Sequence, residues 1–482
     1  MRSLRIAFLL ITCANFAVAD LSPNRFDNYL GEHWYGVYMN EKKIGFASIG
    51  LAREDQDRWT MSLEQTFTFV INQAPIAMTS SETRAYVGEK AELVSSEYIN
   101  SSDAGNIIVE GKIDNGEYLV ITDIVGQKTE KRFDLPVETL DEALSIEIAA
   151  ATNQLNKDSR FVFELFVADP PLTGLYKHDA SIINKLQMVI NGVDTKVYVV
   201  RDSILQLGLG TNSIYDEYGN LLSQEIPAMM MVLKSEPEEI AKQIEVSYDL
   251  LQDNMIEASN GPANPRLVTE GKYIISGYDI SRLPQSDWVK INKLSADSAG
   301  ITINMLTKES YDSFLPVIDP EFGEYLKPEP LIQSDNPEII DLSRQIIGAE
   351  KNSFKAAQLI NSWVFQNIKK EFSPDISNAL QTLKSGRGDC GEHSALTTAL
   401  LRAAGIPAEI VAGVVYWPEG GGFAYHAWVE AYVGEWIQID PTLNELFADA
   451  AHIMLVRGGL KNQVIAILGA IKSLKIQIIN YK

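Results

Sequence analysis

The side chain in this sequence that is best suited to react as a nucleophile is the thiol of Cys390. It follows a short loop, 385–389, and begins a stretch, 390–404, whose apolar residues recur at helical spacing. The first turn of a helix offers unpaired N–H groups and the positive end of the helix dipole, which together stabilise a thiolate. The same N–H groups can hydrogen bond an oxyanion. Cys390 is therefore a candidate nucleophile for acyl transfer.

A thiolate of this kind needs an imidazole partner, and a hairpin pattern after the helix supplies one. The apolar stretch 423–433 predicts a strand that carries His426, and 436–440 predicts a returning strand that ends at Asp440. Folding the hairpin about 432–434 places Asp440 opposite His426, and other turn lengths shift it by one to three positions. A thiol at a helix start, with His and Asp on neighbouring strands, is the arrangement of a catalytic triad.

Three separated blocks of sequence resemble the core of the transglutaminase-like superfamily. They are Gly388-Asp389-Cys390 with the stretch 400–408, His426-Ala427-Trp428-Val429-Glu430, and Trp436-Ile437-Gln438-Ile439-Asp440-Pro441-Thr442. The resemblance covers roughly 340–482. It implies Cys390 as nucleophile, His426 as base and acid, and Asp440 as the group that orients the imidazole. It also implies an α+β, papain-like fold in which the Cys-bearing helix packs on an antiparallel sheet that bears His and Asp.

Several residues near the predicted triad could support it, namely Asp389, Gly391, His393, Trp428 and Glu430. Asp389 is interpreted as an N-cap, and His393 as a capping or supporting residue. A zinc site at His393 would need further Cys or His nearby, so neither a metal nor a cofactor is expected. Trp428 could line the site or belong to the core, and Glu430 could support the triad or be solvated.

The segment 449–452, Asp-Ala-Ala-His, resembles the Asp-Ala-Thr-His stretch of many bacterial members of the superfamily. Ala451 departs from that pattern. On the sequence, His452 is therefore given no role.

The first 19 residues predict an export signal, with a basic start, a short apolar run, and small residues at Ala17 and Ala19. Cleavage after Ala19 places the protein outside the cytoplasm, in the periplasm of a bacterium. It also removes Cys13, so that Cys390 has no internal disulfide partner. Two alternatives stay open: residues 1–19 persist as an anchor, or Cys13 is acylated as in bacterial lipoproteins.

Composition limits the partners of this chain. It is 46% hydrophobic and 22% charged, as in soluble globular proteins, and its net charge is −23. A strongly acidic surface repels nucleic acids and anionic membranes, and the mature chain has no predicted membrane span. A protein or peptide substrate is expected, whereas the sequence leaves the oligomeric state open.

The pattern along the chain predicts a multidomain protein in which β-rich N-terminal domains precede an α+β transglutaminase-like domain. The predicted divisions are a signal peptide at 1–19, a β-rich domain at 20–135, a second β-rich region with helices at 136–260, a small β segment and linker at 261–333, and the catalytic domain at 334–482.

The predicted function is thiol-dependent acyl transfer or hydrolysis of amide bonds through Cys390, His426 and Asp440. Water as the acceptor makes a peptidase or amidase, and an amine makes a transglutaminase. Analogy with bacterial members favours hydrolysis. The alternative is a non-catalytic periplasmic binding or scaffold protein whose transglutaminase-like domain is structural.

Overall fold

The computed structural model describes residues 23–482 apart from short gaps at 72–73, 102–105, 125, 153, 156–158, 171, 191, 208, 245–253, 306–307, 309, 318, 372–377 and 459–472. The export signal predicted at residues 1–19 and the alternatives that involve Cys13 lie outside the described residues. The chain forms two compact units, Ser3–Leu250 and Leu251–Lys482, which we call the N-terminal and C-terminal units.

In the described part of the N-terminal unit, fourteen strands form one sheet in which every neighbouring pair is antiparallel. The strands are β1 Gly31–Met39, β2 Lys42–Asp55, β3 Arg58–Ile71, β4 Ala74–Val87, β5 Glu92–Ser101, β6 Ile107–Asp114, β7 Glu117–Ile124, β8 Gln127–Asp134, β9 Arg160–Val167, β10 Gly174–Ile190, β11 Val193–Ile204, β12 Leu209–Asp216, β13 Leu221–Ile226 and β14 Met231–Ser235. The helices are α1 Leu140–Ala143, α2 Ser145–Ala151 and α3 Glu238–Ala241.

The sheet runs from β8 back to β1, then from β14 back to β9. Its two halves join where β1 pairs with β14, with Val37 opposite Leu233. The segments 20–135 and 136–260 therefore contribute to one sheet. Its tight turns follow the sequence: between β6 and β7, Asn115 and Gly116 both have positive φ angles, the geometry of a two-residue hairpin turn.

A buried ion pair ties the helical insertion of this unit to the sheet. Glu138, just before α1, has a fully buried side chain that lies 2.9 Å from Arg84 Nη1 on β4. The Glu138 Oε2 atom accepts the Phe166 N–H at 3.0 Å, and its Oε1 atom accepts the Tyr86 hydroxyl. Arg84 in turn donates to the Phe166 carbonyl at 2.9 Å. These contacts compensate two charges that burial has removed from water.

The substitution Glu138→Ala should lower the unfolding free energy of the N-terminal unit by about 3–5 kcal/mol. It leaves the Arg84 guanidinium with Glu82 as its remaining ion-pair partner, and it removes the acceptor of the Tyr86 hydroxyl and the Phe166 N–H. Hydrogen–deuterium exchange of peptides from β4 to β9 measures this change. The matched variant Glu117→Ala removes a carboxylate of an exposed pair with Arg132 and should leave exchange nearly unchanged. Equal effects of the two variants would contradict this interpretation.

The C-terminal unit is mixed α and β. Its described helices are α4 Pro337–Ile347, α5 Ser353–Asn367, α6 Ala379–Ser385 and α7 Cys390–Ala403. Its described strands are β15 Ile256–Glu257, β16 Glu270–Ser276, β17 Val289–Lys293, β18 Ser298–Asn304, β19 Lys369–Lys370, β20 Arg387–Gly388, β21 Ala408–Trp417, β22 Gly422–Tyr432, β23 Trp436–Ile439, β24 His452–Arg457 and β25 Lys475–Tyr481.

Helix α7 is the centre of this unit. Its apolar positions, including Leu396 and Leu400, are fully buried, and it packs against β22 and against α4, α5 and α6. The strands β15, β22, β21 and β24 form a sheet to which β23 adds by pairing with β22. The predicted fold class, a β-rich N-terminal part followed by an α+β domain with helices on an antiparallel sheet, is confirmed.

A second sheet of the C-terminal unit, in the order β17-β18-β16-β25, shares a core with the first. Tyr273 and Ile301 of this sheet pack with Val414, Phe423 and Ile453 of the first. The stretch that follows residue 261 thus helps to hold the strands that carry His426 and His452. Throughout the described residues, no helix is both long and apolar enough to cross a bilayer.

Candidate active site

Cys390 is the first residue of α7, and a reciprocal cap fixes that helix start. The Asp389 carboxylate accepts the Gly391 N–H at 2.7 Å, and the Glu392 carboxylate accepts the Asp389 N–H at 3.0 Å. The cap fastens the backbone on both sides of the half-buried Cys390. Sequence reasoning missed Glu392, although its spacing from Asp389 is that of a capping box.

His393 connects this helix start to the end of α5. Its Nδ1 lies 2.7 Å from the Asp389 carbonyl and its Nε2 lies 3.2 Å from the Ile368 carbonyl. Burial lowers the pKa of His393, and the hydrogen bonds with the Asp389 and Ile368 carbonyls oppose this effect only in part. The structure therefore places His393 as a support of the helix start.

The hairpin of β22 and β23 brings His426 and Asp440 together. Val429 pairs with Ile439, so the register places Asp440 across from Trp428, two positions away from the simplest predicted pairing. This shift lies within the range that the sequence allowed. His426 Nε2 lies 2.7 Å from Asp440 Oδ2, a short charge-assisted hydrogen bond.

The other side of the His426 ring contacts the side chain of Cys390. Because Nε2 faces Asp440, Nδ1 is the nitrogen available for the hydrogen bond between the imidazole and the thiol. Burial disfavours the imidazolium, but Asp440 and Cys390 outweigh this effect and raise the pKa of His426 to about 10. The ring therefore carries a second proton near neutral pH.

Asp440 is fully buried and uses both carboxylate oxygens. Burial alone would raise its pKa, but the imidazoles of His426 and His452 hold that pKa well below its usual range. The second oxygen, Oδ1, accepts the N–H groups of Thr442 and Leu443 at 2.7 and 3.0 Å. These backbone contacts fix the orientation of the carboxylate that faces His426.

His452 is a part of the site to which the sequence analysis gave no role. Its ring is fully buried, with Nε2 3.2 Å from Asp440 Oδ2 and Nδ1 3.2 Å from Asp449 Oδ1. Both nitrogens face carboxylates, and only the imidazolium can donate at both positions. Burial opposes this charge, but Asp449, followed by Asp440, raises the pKa of His452 to about 9.

Arg266, in the segment that precedes β16, contacts the carboxylate that pairs with His452. Its Nη1 lies 2.8 Å from Asp449 Oδ2 and 3.3 Å from Glu445 Oε1, and its Nη2 donates to the Tyr416 carbonyl at 3.1 Å. This arginine lies in the region predicted as a small β segment and linker, 261–333, and no local sequence signal connects it with the triad.

Trp428 and Glu430 lie on the same strand as His426 but have different surroundings. Trp428 is fully buried, and its ring stacks 6.0 Å from His426 and stands edge-on 5.1 Å from His452. It therefore belongs to the core and also lines the histidines. Glu430 is buried rather than solvated, and Arg457 Nε donates to it at 2.5 Å. The structure does not bring it to the triad.

Close backbone packing beneath His426 requires a glycine at position 413. Gly413 pairs with His426 on one side and with Met454 on the other. A Cβ atom at Gly413 would lie 2.1 Å from the Ile453 carbonyl oxygen. Any side chain there would separate the strands that carry the two histidines.

The donor atoms of His426, Asp440 and His452 lie within 4.8 Å of one another, as do those of Glu445, Asp449 and His452. In the first group the nitrogen–oxygen distances are 2.7 and 3.2 Å. These are hydrogen-bond lengths. The three side chains of the first group therefore form a hydrogen-bonded chain.

The geometry agrees with a comparison to known families. Residues 340–441 match the family model of the transglutaminase-like superfamily, and this part of the chain is a transglutaminase-like core. An uncharacterised protein of Haemophilus influenzae is 31% identical over 121 residues, which are 23% of this chain and 32% of the relative. The chain thus spans about a third of that relative's length.

Solved structures are similar over parts of the chain. A candidate cysteine protease from Cytophaga hutchinsonii has a TM-score of 0.31 at 18% identity and covers 45% of this chain and 86% of its own. A β-barrel-like protein with a domain of unknown function from Brucella abortus has a TM-score of 0.33 at 9% identity and covers 42% and 94%. A candidate protease from Parabacteroides distasonis has a TM-score of 0.20 at 13% identity and covers 77% and 65%.

The variant Asp389→Ala should lower the unfolding free energy of the C-terminal unit by about 1 kcal/mol and slow the alkylation of Cys390, because α7 loses its cap at the thiol. Asn336→Ala is the matched control, since Asn336 caps α4 by accepting the Glu338 N–H at 2.9 Å. It should cost similar stability and leave alkylation unchanged. If both variants slow alkylation equally, the cap of α7 has no specific effect on the thiol.

Stability should depend on pH through His452. Its pKa is raised from 6.5 to about 9, so this stabilisation is complete below about pH 6.5 and is lost as the pH rises through 9. The loss amounts to at most about 3 kcal/mol. Denaturant unfolding of His452→Gln should show a flatter pH dependence over this window than the wild type. His33→Gln, at an exposed histidine of β1, should behave as the wild type; a wild-type slope in His452→Gln would contradict the assignment.

Proposed function

We propose that the C-terminal unit is a thiol enzyme that hydrolyses amide bonds in protein or peptide substrates. The observation that carries this proposal is the continuous contact from thiol to imidazole to buried carboxylate, with Cys390 at the capped start of a helix. A thiolate, an acid–base group and an orienting carboxylate in this order are the parts that acyl transfer requires.

In the first half-reaction, the Cys390 thiolate attacks the carbonyl carbon of the amide, and a C–S bond forms. Negative charge develops on the carbonyl oxygen, where the backbone N–H of Cys390 at the start of α7 can stabilise it. The His426 imidazolium then gives its Nδ1 proton to the leaving nitrogen, and the C–N bond breaks. The products are a free amine or ammonia and a thioester on Cys390.

In the second half-reaction, water attacks the thioester carbon, and neutral His426 takes its proton. The C–S bond breaks, the acid leaves, and the thiolate–imidazolium pair is restored. Asp440 stays ionised throughout and holds the imidazole in place. An amine that replaces water at this step would make an amide instead, which is the transglutaminase outcome of the same chemistry.

A pooled peptide library incubated in ¹⁸O-labelled water tests the proposal by mass spectrometry. We expect the wild type to produce new carboxyl termini that contain ¹⁸O, and Cys390→Ala to produce none. Asp440→Asn should slow turnover by at least about tenfold because it removes the carboxylate charge that stabilises the His426 imidazolium. Amide products with an added amine, without ¹⁸O, would identify acyl transfer to amines as the reaction.

Iodoacetamide labelling distinguishes an enzyme from a binding or scaffold protein without a known substrate. The wild-type Cys390 should be alkylated readily at about pH 6, where an ordinary thiol is almost entirely protonated. His426→Ala should abolish this low-pH reactivity, whereas His33→Gln, at an exposed histidine, should retain it. A Cys390 that reacts only above about pH 8.5 would support the scaffold alternative and would sink the proposed mechanism.

A further inference from the structure

The Asp440 carboxylate is shared by two imidazoles, and only one of them contacts the thiol. His426 Nε2 and His452 Nε2 lie 2.7 and 3.2 Å from the same oxygen, Oδ2. The two rings are 5.8 Å apart between centroids, and His452 does not lie on the path from Cys390 to Asp440. A second imidazole on the orienting carboxylate is more than a triad needs.

We propose that His452 is a positioning residue, a buried imidazolium that shares Asp440 with His426 and keeps the His426 imidazolium acidic enough to release its proton to the leaving group. This inference rests on the proposed thiol chemistry. In this proposal, His452 does not contact the substrate. Its charge and its hydrogen bond with Asp440 determine how readily His426 donates a proton to the leaving group.

The charge on His452 is held in place by its neighbours. Asp449 Oδ1 lies 3.2 Å from His452 Nδ1 and also accepts the Ala451 N–H at 2.7 Å, so the carboxylate is fixed in orientation. Arg266 lies 2.8 Å from the other Asp449 oxygen and balances its charge. His452 is thus clamped between two fixed carboxylates, and both of its nitrogens must donate.

The effect on His426 follows from the charges that surround it. Asp440 and the Cys390 thiolate favour its imidazolium, whereas the positive ring of His452 disfavours it. The groups that face the two rings are Cys390 on α7, Trp428 on β22, Asp440 after β23, and Glu445 and Asp449 in the segment before β24. Removing the His452 charge should make His426 hold its proton more tightly.

A more tightly held proton has opposite consequences for the two roles of His426. The thiolate–imidazolium pair becomes at least as stable, so alkylation of Cys390 at low pH is retained. The imidazolium becomes a weaker acid, so release of the leaving amine slows. A structural role of His452 in folding the site would instead reduce alkylation and turnover together.

The test compares His452→Gln and Asp449→Asn with the wild type and with His33→Gln. Glutamine can still donate to Asp440 but carries no charge, and asparagine keeps the shape of Asp449 while removing the charge that stabilises the His452 imidazolium. The NMR titration of the ¹⁵N-labelled His426 ring uses a Cys390→Ala background, because loss of the thiol lowers the pKa of His426 into the range in which His452 is still charged. Both variants should then show the His426 midpoint at least about one pH unit higher. His33→Gln should not move it.

The rates of alkylation and of peptide hydrolysis by the enzyme with Cys390 intact provide the second test. In both variants, iodoacetamide alkylation at about pH 6 should stay within twofold of the wild type, while peptide hydrolysis falls about three- to tenfold. Rescue to the wild-type rate by a substrate with a more acidic leaving group, such as an anilide, is expected because that group needs less protonation.

An unchanged His426 midpoint in both variants would overturn the inference, as would a parallel loss of alkylation and hydrolysis. The NMR reading requires no catalysis, so it decides the role of His452 even if no peptide is hydrolysed. Absence of low-pH alkylation in the wild type, with a shifted NMR midpoint in the variants, would refute the proposed enzyme and leave the coupling between the two histidines standing.

Discussion

The C-terminal unit depends on how one buried charge, the carboxylate of Asp440, is compensated. An ionised carboxylate without water costs several kcal/mol unless donors surround it. Here two imidazoles share one oxygen, and the N–H groups of Thr442 and Leu443 donate to the other. Because all these donors are fixed, the carboxylate has one orientation, and that orientation determines the direction of the His426 ring.

Each compensating group needs a partner of its own, and these partners connect distant parts of the chain. His452 is a buried cation that requires Asp449, and Asp449 is balanced by Arg266. Arg266 lies before β16, whose sheet shares a core with the strands that carry both histidines. The contacts that begin at Asp440 therefore reach a segment well outside the transglutaminase-like core at 340–441.

The N-terminal unit handles a buried charge differently. Glu138 is held by Arg84, Tyr86 and the Phe166 N–H, so its donors come from the strands β4 and β9. The side chains of that cluster contact the backbone of Phe166, so they connect the segment before α1 with β4 and β9 of the sheet. In the C-terminal unit the chain of contacts continues through an imidazole to a half-buried thiol. The second cluster differs from the first because it includes a side chain that can act as a nucleophile.

Local pattern in the sequence was enough to predict α7, its start at Cys390 and the hairpin of His426 and Asp440, because helix periodicity, capping residues and strand alternation act over a few residues. It could not predict the pairing of β1 with β14, nor the contacts of Arg266 and His452. Those depend on which charges are buried together once distant segments pack, and burial is a property of the tertiary structure. The sequence thus determined which residues can form a triad, namely Cys390, His426 and Asp440. Only the tertiary structure decided that His452 shares the Asp440 carboxylate with His426.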